Sequence, residues 1–317
     1  MRLVVRGLRV APVFAALLFL RCSSATTSTQ VTDPDAAAPD SGIPGTDEAG
    51  EPTSCPTTGA VTTPGNVATP AATEISGIVA SAHNAGTYWM HNDSGDTARA
   101  FAVSDKGVLQ TTLSFDTVMP TDIEDMTIEE ESADKSYLYF ADIGDNNAVR
   151  KELTIHRVVE PKLDGTATLT VTSEKMRFVY PDGAHNAESI MFDSVSKELL
   201  VATKKVGGPS EIHRVGKFVA DTKVTTEKLV EVAVDFATGG DISRDGRFLV
   251  LRNPSAEAML WSRASGESWT DALARKPCKL PIAKEPQGEA FAFLPDGKAY
   301  VTISEGASPA LHLTPFQ

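Results

Sequence analysis

The sequence predicts an all-β protein, a β-propeller with five blades, on the basis of three observations. From about residue 74 to the C-terminus, five segments repeat one pattern, in which a polar residue leads into an apolar strand, a turn and a second apolar strand. The repeats average about 49 residues, a length typical of a four-stranded blade. No long stretch has the spacing of an amphipathic helix, and the best candidate, Trp269 to Arg275, makes two turns at most.

The first two strands of each unit are the clearest elements. The openings are 74–79, 122–128, 186–192, 239–243 and 287–293, and the second strands are 88–92, 137–141, 199–203, 248–252 and 299–303. Two of the turns between them are Asp-Gly pairs, at Asp245-Gly246 and Asp296-Gly297. This pair between apolar runs indicates a tight hairpin, because both central residues can adopt positive φ.

Third and fourth strands are expected to complete each blade. Examples are 100–103 with 109–113, 154–158 with 166–171, and 258–261 with 277–280. The last unit ends early, so we expect a strand from the 56–70 region to close the ring beside it. Six blades would need a sixth opening, which the sequence does not show. A β-sandwich is a further alternative, although a sandwich would not repeat its opening sequence.

The N-terminal part predicts export. Residues 1–22 combine three early arginines with an apolar run and Cys22, as in a bacterial lipoprotein signal in which this cysteine is acylated. Arg21 departs from the small residue expected there, so cleavage near Ala25 and secretion are the alternative. Residues 23–70 read as a disordered Ser/Thr/Pro/Asp-rich linker, and residues 71–317 as the propeller domain. The expected location is therefore the cell envelope or the outside of the cell.

The net charge, the number of cysteines and the absence of several motifs argue against some classes of function. The formal net charge of -13 argues against nucleic-acid binding, which needs basic patches. Three cysteines are too few for a disulfide framework or a four-thiolate zinc site. In an oxidising compartment we expect Cys55 and Cys278 to pair, the alternative being a free Cys55. Gly-x-Ser-x-Gly, Gly-x-Gly-x-x-Gly and Walker motifs do not occur.

Three further motifs carry a family resemblance. They are Asp122-Ile-Glu-Asp125, Ala141-Asp-Ile-Gly-Asp-Asn146 and Tyr180-Pro-Asp-Gly-Ala-His-Asn-Ala-Glu-Ser189. Together they resemble a family of secreted bacterial propeller proteins, mostly uncharacterised lipoproteins, which is distantly similar to phytase-like and esterase-like propellers. The resemblance implies a propeller fold and export. It implies no activity, because likeness of fold does not transfer one.

Acidic residues recur at matched positions of the opening strands, which face the central channel of a propeller. One column contains Ser76, Glu124, Glu188, Gly240 and Glu289, and the next contains Gly77, Asp125, Ser189, Asp241 and Ala290. A buried glutamate needs a partner or a metal. The three glutamates are therefore expected either to converge on a cation such as Ca²⁺, or to accept backbone hydrogen bonds from neighbouring blades.

The ends of the second strands should form the rim of one channel mouth. Asp93 and Asp96 align with Asp142 and Asp145, and these four are candidate metal ligands or simple turn residues. The later units place Lys204-Lys205, Arg252-Asn253 and Ser304-Glu305 there, so one side of the rim is expected to be rich in carboxylates and the other cationic. The candidate ligand-binding residues of the channel are Glu124, Asp125, Glu188, Glu289, His91, Lys204 and Arg252.

Three functions remain in competition. The first is a module that binds a small molecule, glycan or protein at the polar channel mouth. The second is a Ca²⁺-dependent, phytase-like phosphoesterase, in which the glutamates hold the metal while Lys204 and Arg252 hold an anionic substrate. The third is a structural protein of the envelope. No catalytic residue can be assigned from the sequence. Contact with a membrane is expected only through a lipid at Cys22.

Overall fold

The computed structural model describes residues 55–116, 118–255 and 257–317, and over these residues the chain forms a five-bladed β-propeller. The inner strands of the five sheets are neighbours around one axis, and the last contacts the first. The predicted fold class is confirmed, and six blades and a sandwich are excluded. The predicted signal peptide, Cys22 and the linker up to residue 54 lie outside the described residues.

Strands are numbered along the chain. A first strand, β1 (Thr62–Asn66), precedes the first blade. The first blade begins with β2 (Ile75–Ala80), β3 (Thr87–Asn92), β4 (Arg99–Ser104) and β5 (Leu109–Phe115). The next segment contains β6 (Ile123–Ser132), β7 (Lys135–Asp142), β8 (Leu153–Val159), β9 (Thr168–Val171) and β10 (Glu174–Val179).

The remaining strands follow the same hairpin pattern. The third unit contains β11 (Ala187–Asp193), β12 (Glu198–Thr203), β13 (Ser210–Gly216), β14 (Lys223–Thr225) and β15 (Glu227–Val232). The fourth contains β16 (Gly239–Ile242), β17 (Phe248–Arg252), β18 (Glu257–Ser262), α1 (Trp269–Leu273) and β19 (Cys278–Pro281). The fifth contains β20 (Gly288–Phe293), β21 (Ala299–Ser304) and β22 (Ala310–Pro315). The predicted openings and second strands are confirmed.

Two strands leave their own unit and extend the preceding blade. After β8, the chain crosses back so that β9 pairs in parallel with β5, and β14 likewise pairs in parallel with β10. The predicted fourth strand of the second unit, 166–171, is therefore wrong, because β10 takes that place. The outer strand of a blade presents unpaired N–H and C=O groups, and the exchanged strands pair with this open edge.

The two ends of the propeller meet in the fifth blade. There β1 pairs antiparallel with β22, and Thr58 forms a further bridge with Phe316. The expected closing strand is confirmed. Since β1 lies before residue 71, the propeller reaches into the range that the sequence analysis assigned to the linker.

The hydrophobic core is divided among the five joints between blades. Five clusters of buried apolar side chains each combine residues of two adjacent blades. Between the first two blades, for example, Trp89 packs in one cluster with Phe140, and both are fully buried. Each sheet therefore buries both of its faces, which explains the nearly continuous apolar sequence of the inner strands.

The short helix α1 belongs to the joint between the third and fourth blades. Ser268 caps its N-terminus by accepting a hydrogen bond from the Asp271 amide at 3.1 Å. Trp269 and Leu273 are buried in the adjacent core. Across the described residues, helices long and apolar enough to span a bilayer are absent.

A disulfide joins Cys55 and Cys278, with their Cα atoms 5.5 Å apart. Cys278 lies in β19 of the fourth blade, whereas β1, which follows Cys55, belongs to the fifth. The bond therefore attaches the segment before β1 to the neighbouring blade and reinforces the closure of the ring.

Removal of this disulfide should lower stability. For the double variant Cys55→Ser/Cys278→Ala, we expect a free energy of unfolding lower by about 2–5 kcal/mol, because the cross-link restricts the unfolded chain. Urea unfolding followed by tryptophan fluorescence measures this loss, and circular dichroism checks that the fold persists. Reductant should destabilise the wild type but not the variant. Equal stability of the two proteins would contradict the structural role of the bond.

Candidate cation site at the channel mouth

The glutamate column of the sequence corresponds to bulged positions at the start of the inner strands. In four blades the register of the first hairpin shifts by one residue, and the residue left out is Ser76, Glu124, Glu188 or Glu289. The fourth blade pairs Gly240 with Leu251 without a shift. A bulge re-aims the side chain of its extra residue, so three blades share a backbone feature that places a glutamate at the channel mouth.

The three glutamates influence one another electrostatically. Glu124 and Glu188 are each 3% exposed, and Glu289 is partly buried. Burial, followed by the charge of Glu188, raises the pKa of Glu124 to about 11 and the pKa of Glu289 to about 8. The structure thus brings together the residues that the repeat aligned.

Glu124 forms a compact oxygen cluster with Asp93 and Asp122. One carboxylate oxygen from each lies within 4.8 Å of the other two. Gly144 packs directly against this cluster, since a Cβ atom there would lie 2.1 Å from Oε1 of Glu124 and 2.2 Å from Oδ2 of Asp122. A larger residue there would push these two carboxylates away, so the loop after β7 forms the wall of the cluster.

The neighbouring aspartate column has a structural role. Asp125 accepts hydrogen bonds from the amides of Met126 at 2.8 Å and of Ile190, in the next blade, at 3.0 Å. Asp241 does the same with the amides of Ile242 at 2.8 Å and Phe293 at 2.9 Å. The alternative drawn from the sequence, backbone hydrogen bonds between blades, thus applies to the aspartates. Asp125 is occupied in this way and is not placed to bind a ligand.

Lys204 lies at the mouth beside the glutamates. Its Nζ donates to both carboxylate oxygens of Glu188 at 2.5 Å and lies 4.1 Å from the centre of the Phe236 ring. The Lys204 side chain is 14% exposed. Its charge opposes the effect of burial on the pKa of Glu188, which is nevertheless raised.

Arg252 occupies the matching place in the fourth blade but is turned into the protein. Its side chain is fully buried, and its guanidinium donates to Glu285 at 2.8 Å and to the carbonyl of Ala290 at 3.1 Å. Arg252 therefore joins the fourth and fifth blades and does not line the channel, contrary to the expectation from the sequence.

His91 is also placed inside the protein. The ring is 1% exposed, its Nδ1 lies 2.8 Å from the carbonyl oxygen of Asn92, and its edge faces Phe140 at 5.9 Å between ring centres. Burial lowers the pKa of His91, which favours the neutral ring. His91 is therefore part of the joint between the first two blades and does not face the channel mouth.

Of the four aspartates proposed as metal ligands, only Asp93 joins the oxygen cluster. Asp96 accepts from Arg99 at 2.8 Å and from Asn92 at 2.7 Å. Asp142 accepts from two loop amides and from Arg150, and Asp145 from the amides of residues 149 and 150. Asp96 and Asp145 hold their own loops, as the turn alternative predicts. Asp142 instead connects the loop before β6 with Arg150 of the loop after β7.

Two further acidic residues belong to the mouth: Glu305, which was expected on its rim, and Asp122, which the sequence placed in a family motif but not among the candidate ligands. Burial and the charges of Glu74 and Asp93 raise the pKa of Glu305 to about 6. A signal for Asp122 was present, because four openings carry a long or acidic polar residue two positions before the bulge. These residues are Glu74, Asp122, Asn186 and Gln287.

Comparison with known proteins adds little. No family model matches the sequence, and no curated protein matches it. Among solved structures, a gluconolactonase from Xanthomonas campestris is similar with a TM-score of 0.47 and 10% identity, over 86% of this chain and 99% of that one. Similarity at this level carries no argument about activity.

The raised pKa of Glu289 predicts a pH dependence of stability. The unfolded side chain ionises near pH 4.5, whereas the folded one keeps its proton up to about pH 8. Without divalent cations, the free energy of unfolding should therefore fall as the pH rises from 5 to 8. Glu289→Gln should flatten this decline and make the protein about 1–4 kcal/mol more stable than the wild type at pH 8.

Urea unfolding at a series of pH values in the presence of a chelator measures this effect. Glu257→Gln is the matched control, because Glu257 is exposed and pairs with an exposed lysine. Its pH profile should follow the wild type. A profile of Glu289→Gln parallel to the wild type would show that Glu289 ionises normally in the folded protein.

Proposed function

We propose that the protein is a binding module whose channel mouth holds a divalent cation, Ca²⁺, through Asp93, Asp122 and Glu124. The observation that supports this most is the close approach of three carboxylates, one of them only 3% exposed. Among the described residues, the Glu124 carboxylate accepts no hydrogen bond. Carboxylates this close repel one another unless a proton or a cation lies between them.

The chemistry of the donors favours Ca²⁺. All three are carboxylate oxygens, and Ca²⁺ takes six to eight oxygen ligands in flexible geometry. Three protein ligands leave further positions for the oxygens of a bound molecule. Glu305, whose pKa of about 6 leaves it charged at neutral pH, adds negative charge beside the cluster. The mouth therefore attracts cations and accepts an anionic group only together with one.

The hydrolase alternative has less support. It needs two cationic side chains to hold an anionic substrate, and Lys204 and Arg252 were the candidates. Lys204 is paired with Glu188, and Arg252 is buried against Glu285. The mouth therefore supports binding of a cation better than binding of a phosphate ester.

Export is part of the proposal. The disulfide between Cys55 and Cys278 forms in an oxidising compartment, which agrees with the signal-like residues 1–22 and with the resemblance to secreted propellers. We propose that Cys22 carries the lipid anchor and that the propeller acts at the cell envelope.

The cation site predicts stabilisation by Ca²⁺. In chelator-treated protein, Ca²⁺ at about 100 times its Kd should add about 2.7 kcal/mol of stability, and so raise Tm by about 5–10 °C. Glu124→Gln should abolish this shift because it removes a ligand. It should also raise Tm without Ca²⁺, because the folded wild type must keep a proton on buried Glu124 that the unfolded chain releases. Differential scanning calorimetry measures both effects, and Glu257→Gln should behave as the wild type. A full Ca²⁺ shift in Glu124→Gln would refute the site.

The anchor is tested separately. Expression of the full chain in a bacterium that processes lipoproteins should give a mature protein that begins at Cys22 and carries the mass of the acyl groups. Mass spectrometry of the N-terminal peptide measures this. The variant Cys22→Ser should lose the added mass, and a wild-type N-terminus near Ala25 would contradict lipidation.

A further inference from the structure

The motif from Tyr180 to Ser189 is only partly explained by the channel mouth. Its last residues reach Glu188, but its first half lies on the loop between β10 and β11, at the joint between the second and third blades. In this loop, Asp182 and His185 approach Glu211 of β13. One ligand atom from each of the three lies within 4.8 Å of the other two.

The loop geometry brings Asp182 and His185 side by side. Gly183 has a φ of +126°, a conformation that other residues rarely adopt, and the turn it allows places His185 Nε2 2.8 Å from Asp182 Oδ1. The His185 side chain is 18% exposed. It lines a cavity of about 340 Å³.

Tyr180 gives an independent indication of a ligand. The residue is 6% exposed, and its hydroxyl has no hydrogen-bond partner among the described residues. Its ring contacts His185 and His213 edge-on, at 4.9 and 4.8 Å between ring centres. Burial and the charges of Glu211, Asp145 and Asp182 raise its pKa, so the hydroxyl lies within the field of this cluster. A buried hydroxyl without a partner is unfavourable, because it has given up its hydrogen bonds to water.

Glu211 is held in a fixed orientation and keeps one acceptor position free. Lys205 donates to its Oε1 at 2.5 Å, the Lys228 ammonium lies 3.1 Å from the same oxygen, and His213 lies 3.0 Å from its Oε2. A carboxylate has about four lone-pair positions, so three contacts leave one. Such surrounding contacts are what orients a ligand residue in a metal site.

We propose that Asp182, His185 and Glu211 form a second metal site, selective for a first-row transition ion such as Zn²⁺. One imidazole nitrogen with carboxylate oxygens suits Zn²⁺ rather than Ca²⁺, which takes oxygen ligands only. The two lysines on Glu211 offset part of the local negative charge, so binding depends on the imidazole. Three protein ligands leave a fourth position for a small ligand, and Tyr180 lines the same cavity as His185.

The test is Zn²⁺ binding by purified, chelator-treated, tag-free protein. We expect isothermal titration calorimetry to find one Zn²⁺ per chain, and Co²⁺ used as a probe to give a visible absorption band. His185→Asn should weaken Zn²⁺ binding by about 100-fold and remove the Co²⁺ band. His312→Asn is the matched control, because His312 lies on β22 and contacts Thr63; its binding should equal the wild type.

Two further variants distinguish loss of Zn²⁺ binding from poor folding, and the Zn²⁺ site from the Ca²⁺ site. Asp182→Asn changes an exposed ligand and should weaken Zn²⁺ binding even if His185→Asn folds poorly. Glu124→Gln should leave Zn²⁺ binding unchanged, and His185→Asn should keep the Ca²⁺ shift in Tm, so the two sites fail independently. Absence of stoichiometric Zn²⁺ binding in the wild type would overturn the proposal. So would binding that both His185→Asn and Asp182→Asn leave intact.

Discussion

Buried carboxylates join the inner strands of neighbouring blades, and the geometry of the channel depends on these contacts. Asp125 accepts hydrogen bonds from the amides of Met126 in its own strand and Ile190 in the next. Glu124 and Glu188 each lie two residues before one of these anchored amides. The contact that sets the register between β6 and β11 therefore also sets where the two glutamates meet. Loss of one hydrogen-bonded aspartate would disturb both the joint and the mouth.

The sequence predicts those parts of the fold that depend on local chemistry. Inner hairpins follow from apolar runs joined by turns such as Asp245-Gly246, and their bulged positions recur at one place in the repeat. The exchange of β9 and β14 was not predictable in the same way. Both are short and partly exposed, and each pairs with a strand of the preceding blade. Nothing within their own sequences specifies that distant partner.

At the candidate site, the partners of individual side chains were likewise not predictable from the sequence. The repeat predicts where a side chain leaves the backbone, and on this basis Glu124, Glu188 and Glu289 were expected together. It does not predict which partner that side chain finds. Lys204 and Arg252 occupy matching positions, yet Lys204 reaches Glu188 at the mouth and Arg252 reaches Glu285 inside the protein. Glu285 belongs to a loop outside the aligned columns, so only the folded chain reveals the difference.

Strand exchange makes the joints of the ring mechanically unequal. The first three blades are interlocked, because β9 and β14 must detach before the first blade separates from the second or the second from the third. The last two blades are joined by the disulfide between Cys55 and Cys278. In the described part of the chain, the joint between the third and fourth blades has neither device, and side-chain contacts such as the Arg263–Asp193 ion pair cross it. That joint is therefore held by side-chain packing and ion pairs, without an exchanged strand or a cross-link among the described residues.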